Sequence, residues 1–332
     1  MAVVTNTFKT SSARVNREEL AGEINLIDPQ DTPIYSMIKG PTCKTTHPEW
    51  AIESMGTPGE NAQAEGDDYT FDATTAATRV GNYTQIMRKS FIISDTQDSV
   101  DNAGNLESTE RKKVIKGVEL RKDVEFAIVS NTASVSGTTR YLGGLPSWVT
   151  SNASRGSGGS NGGFSSVTGL TVAATNGTQR AFTKTIMDSV MQQGYTNGAN
   201  FRYVSVSPYV KSVFVTFMSD TNVAAYRYAT DSGKGNSIIA NADFYEGPFG
   251  RVAVMPNRIQ ATSAATARNA FFIDPAYLRF AWLKGRAIKE DTEVAKTGDA
   301  NKTVLIGEGT LVPKNEKGLG VAADLYGLTA AS

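Results

Sequence analysis

The sequence predicts an α+β fold, on three observations. One long helix-like stretch, Leu106 to Asn131, stands among segments rich in Gly, Thr and β-branched residues. Helical and extended patterns come in clusters, without the regular strand–helix alternation of a parallel sheet. Between two strand-like runs lies a long polar insertion with the composition of a projecting hairpin.

The first 45 residues are polar, with a helix signal at "NREELAGEINLI". Asn16 is the expected N-cap, and Glu18 and Glu19 suit the positive end of the helix dipole. In "DPQDTPIYSMI" two prolines punctuate, and Asp31 or Thr32 is placed to cap one more turn. The region reads as an extended arm with too few apolar residues to fold alone.

From Lys44 to Ser94, "KTTHPEWAIES" leads outward and "TRVGNYTQIMRKSFIIS" returns. The tip between them, Gly56 to Ala77, holds five carboxylates (Glu60, Glu65, Asp67, Asp68, Asp72) and no Lys or Arg. An isolated two-stranded hairpin is marginal in water, so this one is expected to lie against something else. Residues 106–131 then predict a helix of about 26 residues, roughly 39 Å long, with Asn105 as its cap. Lys112, Lys116, Glu119, Asp123 and Ser130 form one narrow stripe. Apolar residues such as Val114, Leu120, Val124, Phe126 and Ile128 cover most of the rest, which predicts contact on more than one side.

After "RYLGGLPSWV" comes "TSNASRGSGGSNGGFSS", which reads as a flexible surface loop. "FTKTIMDSVMQQGY" is helical with Gly194 as its stop. "FRYVSVSPYVKSVFVTFM" reads as a strand, a turn at Pro208 and a second helix. The segments beyond it, through "KTVLIGEGTLVPKNEKGLGVAADL", are rich in strands.

Composition bounds the function. With 33 Lys+Arg against 33 Asp+Glu the formal net charge is zero, whereas a protein that neutralises phosphates as its main task carries a basic excess. No apolar run approaches the roughly 18–20 residues that span a bilayer. The N-terminus lacks the apolar core of a signal peptide. The Asn82, Asn152, Asn176 and Asn301 sequons therefore read as chance in a Thr/Ser-rich chain. Catalytic chemistry is scarce. His47 is the only His and Cys43 the only Cys, so no disulfide and no common zinc site is expected. His47 reads as a solvated or interface residue and Cys43 as a small packed thiol. "GSGGSNGG" and "SGKGNS" lack the spacing of phosphate loops. The tip acids lack a calcium-loop pattern and the rigid placement of glycosidase acids. No catalytic, cofactor-binding or metal residue is assigned.

The ordered set of segments resembles the major capsid proteins of tailed bacteriophages, the Hong Kong 97-type fold. "TPIYSMI", "NYTQIMRKSFIISDTQ", "ELRKDVEFAIVSN", "RYLGGLPSWV", "VSPYVKSVF" and "GTLVPKNEKGLGVAADL" carry the resemblance. It implies an N-terminal arm (1–45) and an extended loop (46–93). It also implies a peripheral domain with a spine helix (94–148 and 285–312) and an axial domain (149–284 and 313–332). It implies no enzyme and no cofactor, but a subunit of a virion shell, assembled in the bacterial host cytoplasm. The implied partners are its own copies as hexamers and pentamers, portal, scaffolding and decoration proteins, and packaged double-stranded DNA held by weak contacts, with no membrane.

Two features of some relatives do not carry over. No Lys lies between Lys44 and Lys89 to form a loop isopeptide crosslink, and the arm begins almost at Met1, without a long scaffolding segment. An encapsulin-like nanocompartment shell is the alternative, and a β-rich carbohydrate-active enzyme a more distant one. From charge alone, the acidic tip is expected to dock on basic residues of an adjacent spine: Arg111, Lys112, Lys113, Lys116, Arg121 and Lys122.

Overall fold

The structure is a computed structural model, and it describes residues 28–68, 71, 73–100, 108–217, 243–292, 294–296 and 298–326. The helix signal beginning at Asn16, Asn105 and Asp72 lie outside the described residues. The chain enters through a one-turn helix, α1 (Pro33–Met37), with Pro33 at its first position, where a missing N–H costs nothing. A short hairpin follows, β1 (Glu49–Ile52) paired antiparallel with β2 (Thr78–Gly81), Trp50 opposite Val80. Its base packs on the body: Trp50 stacks on Trp148 at 5.7 Å, and Trp148 stacks in turn on Phe164.

The return run is not one strand. It breaks at Asn82–Thr84 and resumes as β3 (Gln85–Ser94), which leaves its hairpin partner altogether. Asn82 is the cause. Fully buried, its amide nitrogen donates to the carbonyls of Leu311 (2.8 Å) and Gly143 (3.3 Å), and its oxygen accepts from the Gly143 N–H (2.8 Å). A residue this committed turns the chain into a different sheet.

A short helix, α2 (Asp95–Ser99), precedes the spine helix, α3 (Thr109–Val129). The spine helix is 21 residues, shorter than expected, and starts where the Ser108 hydroxyl accepts the Arg111 N–H. Leu120, Val124, Ile128 and Val129 are buried, all in its C-terminal half, while Val114 is 69% exposed.

The supposedly flexible Gly/Ser stretch is ordered. It contributes β4 (Ala153–Ser154) and β5 (Gly163–Ser165), the latter paired with β6 (Leu170–Val172). Its glycines permit close backbone approach: a Cβ on Gly156 would stand 1.9 Å from the Thr178 carbonyl oxygen. α4 (Lys184–Thr196) runs past Gly194 instead of stopping there, and the glycine serves packing, since a Cβ at that position would strike the Phe201 ring at 2.1 Å. The helix ends at Asn197 and Gly198, the latter at φ +87°. β7 (Tyr203–Val206) leads into α5 (Pro208–Thr216), capped by Ser207 with Pro208 as its first residue.

The remaining strands are β8 (Phe244–Gly247), β9 (Gly250–Pro256), β10 (Ala270–Ile273), β11 (Leu278–Trp282), β12 (Lys289–Asp291), β13 (Ala300–Pro313) and β14 (Leu319–Ala322). They make two principal sheets. One has six strands in the order β4-β14-β10-β7-β9-β8. In the other, β13 pairs with β3 along one edge and with β11 and β12 along the other. β10 explains how the two cores are divided. Phe271 and Ile273 face a core shared with α1, α3, β11 and β13, whereas Ala270 and Phe272 face one shared with α4, α5, β7 and β9. A strand buried on both faces reads as an unbroken apolar run, which "AFFI" is.

Two glycines test this packing. Gly156→Ala is expected to lose about 1–3 kcal/mol through overpacking. Gly117→Ala, inside the spine helix with nothing within 4 Å of the added Cβ, is expected to gain about 0.5–1 kcal/mol. Urea unfolding of the dissociated chain measures both.

Candidate functional site

The hairpin tip is built to be exposed. From Glu53 to Asp68 every residue is exposed, including Glu60, Glu65, Asp67 and Asp68. Met55 and Phe71 are 99% and 94% exposed, a cost that an isolated chain does not recover. Gly66, at φ +85°, sits in the turn closed by the Asp67 N–H on the Ala64 carbonyl. Among the described residues the tip carboxylates form no ion pair with the spine cations.

Those cations divide into two groups. Lys113 pairs with Glu110 (3.0 Å) and Glu290 (3.2 Å), Lys116 with Glu119 (2.8 Å), and Lys122 with Asp28 (2.8 Å). Arg111, Lys112 and Arg121 have no ion-pair partner among the described residues. Arg121 opens onto a cleft of about 520 Å³ lined by Gln30, Asp31, Thr32, Pro33, Val118 and Pro256. Of the six spine cations, three are engaged within the chain and three have no ion-pair partner among the described residues.

His47 and Cys43 both pack against the body of the fold. His47 lies at the hairpin base, stacked on Tyr83 at 4.1 Å, with Nδ1 3.8 Å from Glu49. Cys43 docks beside β11 through its backbone: its N–H donates to the Trp282 carbonyl and its carbonyl accepts the Lys284 N–H, each at 2.8 Å. Burial pushes the Cys43 thiol pKa up, away from thiolate chemistry. Among the described residues no cluster of His, Cys, Asp and Glu could hold a metal, and no helix is long and apolar enough to cross a membrane.

Three buried carboxylates form a second layer that sequence reasoning missed. Glu125, on the buried face of α3, accepts the N–H of Ile34 (3.1 Å) and Tyr35 (2.7 Å) at the start of α1, and the Asn257 amide (2.6 Å). Thr32 makes no side-chain cap there, so Glu125 caps α1 from the spine. Glu308, on β13, accepts the Thr84 hydroxyl (2.7 Å) at the hairpin base and pairs with Arg140 (2.7 Å) and Arg286 (3.1 Å). Asp324 pairs with Arg268 at 2.9 Å. The one available signal was Glu125 itself, a carboxylate among apolar residues in "DVEFAIV".

The comparisons with known proteins follow the same geometry. The family model described as SU10 major capsid protein matches residues 3–326. A major capsid protein of Escherichia phage Phieco32 is 30% identical over 114 residues, 34% of this chain, and the match spans about a third (32%) of that relative's length. Among solved structures, the Cyanophage A-1(L) capsid asymmetric unit superposes with TM-score 0.65 at 13% identity, covering 96% of this chain and 98% of that one. Mycobacterium phage Bobi follows at 0.60 and 11%, covering 94% and 97%. A holo-SrpI encapsulin complex from Synechococcus elongatus gives 0.59 at 8%, covering 98% and 99%. The neighbours share the Hong Kong 97-type fold.

Glu125 predicts a pH dependence. Burial raises its pKa from 4.5 to about 6, outweighing three donors that favour the carboxylate. The folded chain then holds the proton more tightly than the unfolded one. The stabilisation is complete below about 4.5 and lost as the pH rises through about 6, a change of up to about 2 kcal/mol. Urea unfolding between pH 4.5 and 7 should show this component in the parent and not in Glu125→Gln.

Proposed function

This chain belongs to the SU10 major capsid protein family, and we propose that it is the shell subunit of a phage head, closing as hexamers and pentamers into an icosahedral wall around double-stranded DNA. One observation carries the reading. A hairpin tip with bare Met55 and Phe71, whose carboxylates make no ion pair among the described residues, stands apart from a body with two buried cores. Such a tip is completed by a neighbour. The fold is also that of an encapsulin, but the family model and the Phieco32 relative both favour the phage head.

The same reading divides the chain into arm (1–45), extended loop (46–93), peripheral domain (94–148 and 285–312) and axial domain (149–284 and 313–332). The six-stranded sheet, which lies wholly within the axial ranges, supports it. The other sheet joins β12 and β13 to β3 from the loop range and β11 from the axial range. The role is structural, without catalysis. Zero net charge suits a wall that touches DNA weakly and non-specifically. Portal, scaffolding and decoration proteins complete the virion, assembled in the host cytoplasm.

At the contact, the acidic tip of one copy faces the unpaired Arg111, Lys112 and Arg121 of the next. Lys113, Lys116 and Lys122 are already engaged within their own chain. An exposed pair contributes only about 0.2–1 kcal/mol, but it recurs at every contact and responds to salt.

Negative-stain microscopy of the expressed protein tests the shell, and unassembled protein under every salt and pH condition would count against it. Charge reversal tests the contact. Glu65→Lys, Asp67→Lys and Asp68→Lys together are expected to slow or misdirect assembly with the chain still folded. Arg111→Glu, Lys112→Glu and Arg121→Glu should partly restore it. Normal assembly of the triple-Lys chain at low and high salt would sink the contact and leave the shell standing.

A further inference from the structure

Asp324, directly after β14, is fully buried and is the only described non-glycine residue at positive φ (+64°). Its Oδ2 accepts the Gly156 N–H (2.9 Å), and its Oδ1 accepts the Gly177 N–H (3.0 Å) and pairs with Arg268 Nη2 (2.9 Å). Two more arginines stand in its field. Arg155 adjoins Gly156 and donates from Nε to Asn161 (2.8 Å). Arg180 donates to the Ser154 hydroxyl (2.9 Å) and the Ala323 carbonyl (3.3 Å).

Arg268 thus pairs with the carboxylate while Arg155 and Arg180 stand only in its field, and among the described residues neither of these two has an ion-pair partner. Burial lowers the pKa of both Arg155 and Arg180, and Asp324 only partly offsets it. Arg155 Nη2 and Arg268 Nε are buried with no hydrogen-bond partner among the described residues. The frame around them is fixed, because Gly156 and Gly177 pack backbone against backbone with no room for a Cβ. A rigid, half-buried cluster with excess positive charge and spare forked donors suits a tetrahedral oxyanion of up to two charges.

We propose that Arg155, Arg180 and Arg268 form a binding site for a phosphate-class oxyanion beside Asp324. Nothing in the shell role requires this site. Its occupant supplies the missing negative charge and ties the 155–159 loop, the 177–180 segment and the chain after β14 into one unit.

Thermal unfolding of the full chain, with inorganic phosphate titrated against sodium chloride at equal ionic strength, tests it. A saturable Tm rise of about 2–4 °C with phosphate and none with chloride is expected. No rise, or an equal rise in chloride, overturns the site. Arg155→Gln should lose the phosphate-dependent rise, yet unfold at or above the parent's Tm in its absence, since it removes an uncompensated charge. A merely structural arginine would instead leave the variant less stable in both buffers with the rise intact, and that result also overturns the site. If Arg155→Gln does not fold, Arg155→Lys, which keeps the charge and loses the fork, takes its place: a reduced rise supports the site and an unchanged one overturns it. Competition by a short DNA duplex distinguishes the source of the oxyanion. Displacement of phosphate assigns the site to nucleic-acid backbone, and lack of displacement assigns it to the free ion.

Discussion

A five-residue helix is far too short to persist by its own hydrogen bonds, yet α1 places Ile34 and Ile38 at zero exposure in the larger core. What makes this possible is the Glu125 carboxylate. The first-turn N–H groups of α1 point into protein, where an unmet donor costs about 1–3 kcal/mol. Glu125 meets two of them, and the Asn257 amide fills another acceptor position. Asn257 in turn accepts the N–H of Ile259 with its own oxygen, so arm, spine and the loop after β9 are set relative to one another through one side chain. The seat of α1 on the body follows from that contact.

The same device recurs wherever distant segments meet. Glu308 gathers Thr84, Arg140 and Arg286, and Asp324 gathers Gly156, Gly177 and Arg268. Hydrophobic burial is non-directional and would tolerate the hairpin base or the 156–159 loop at several angles. A carboxylate with donors from separate segments is not tolerant, because displacing any one of them leaves a buried polar group unmet. Glu125 differs in having only neutral donors. Its charge has no cationic partner to offset burial, which raises its pKa to about 6.

How much of this was legible in the sequence depended on the range of each interaction. Local periodicity identified the C-terminal half of the spine helix and marked the later segments, "AFFI" among them, as rich in strands, while the burial of "AFFI" on both faces came from the structure. It misread the return run, where Asn82 is held by Gly143 and Leu311, and the Gly/Ser stretch, whose glycines meet residues from other segments. Composition marks a backbone as permissive and says nothing of whether something stands against it. The exposed acidic tip was legible because no apolar residues surround its charges. The free spine cations were not, because Asp28 and Glu290, which engage Lys122 and Lys113, lie far away in sequence.

Rigid interior and weak exterior belong to one logic in a shell subunit. Joints fixed by buried carboxylates let each copy present the same geometry, so that small contact energies add coherently around a closed surface instead of being spent on ordering the subunit. The exterior contacts can then stay small. Val114 and Ile92 are 69% and 64% exposed, scattered among charges and not gathered into one apolar face. Under the proposed contact, a tip held by screened ion pairs and two apolar side chains would release and rebind when misplaced, whereas a large apolar contact would trap its first error. In that view the scarcity of apolar residues in the loop is the condition for correct closure.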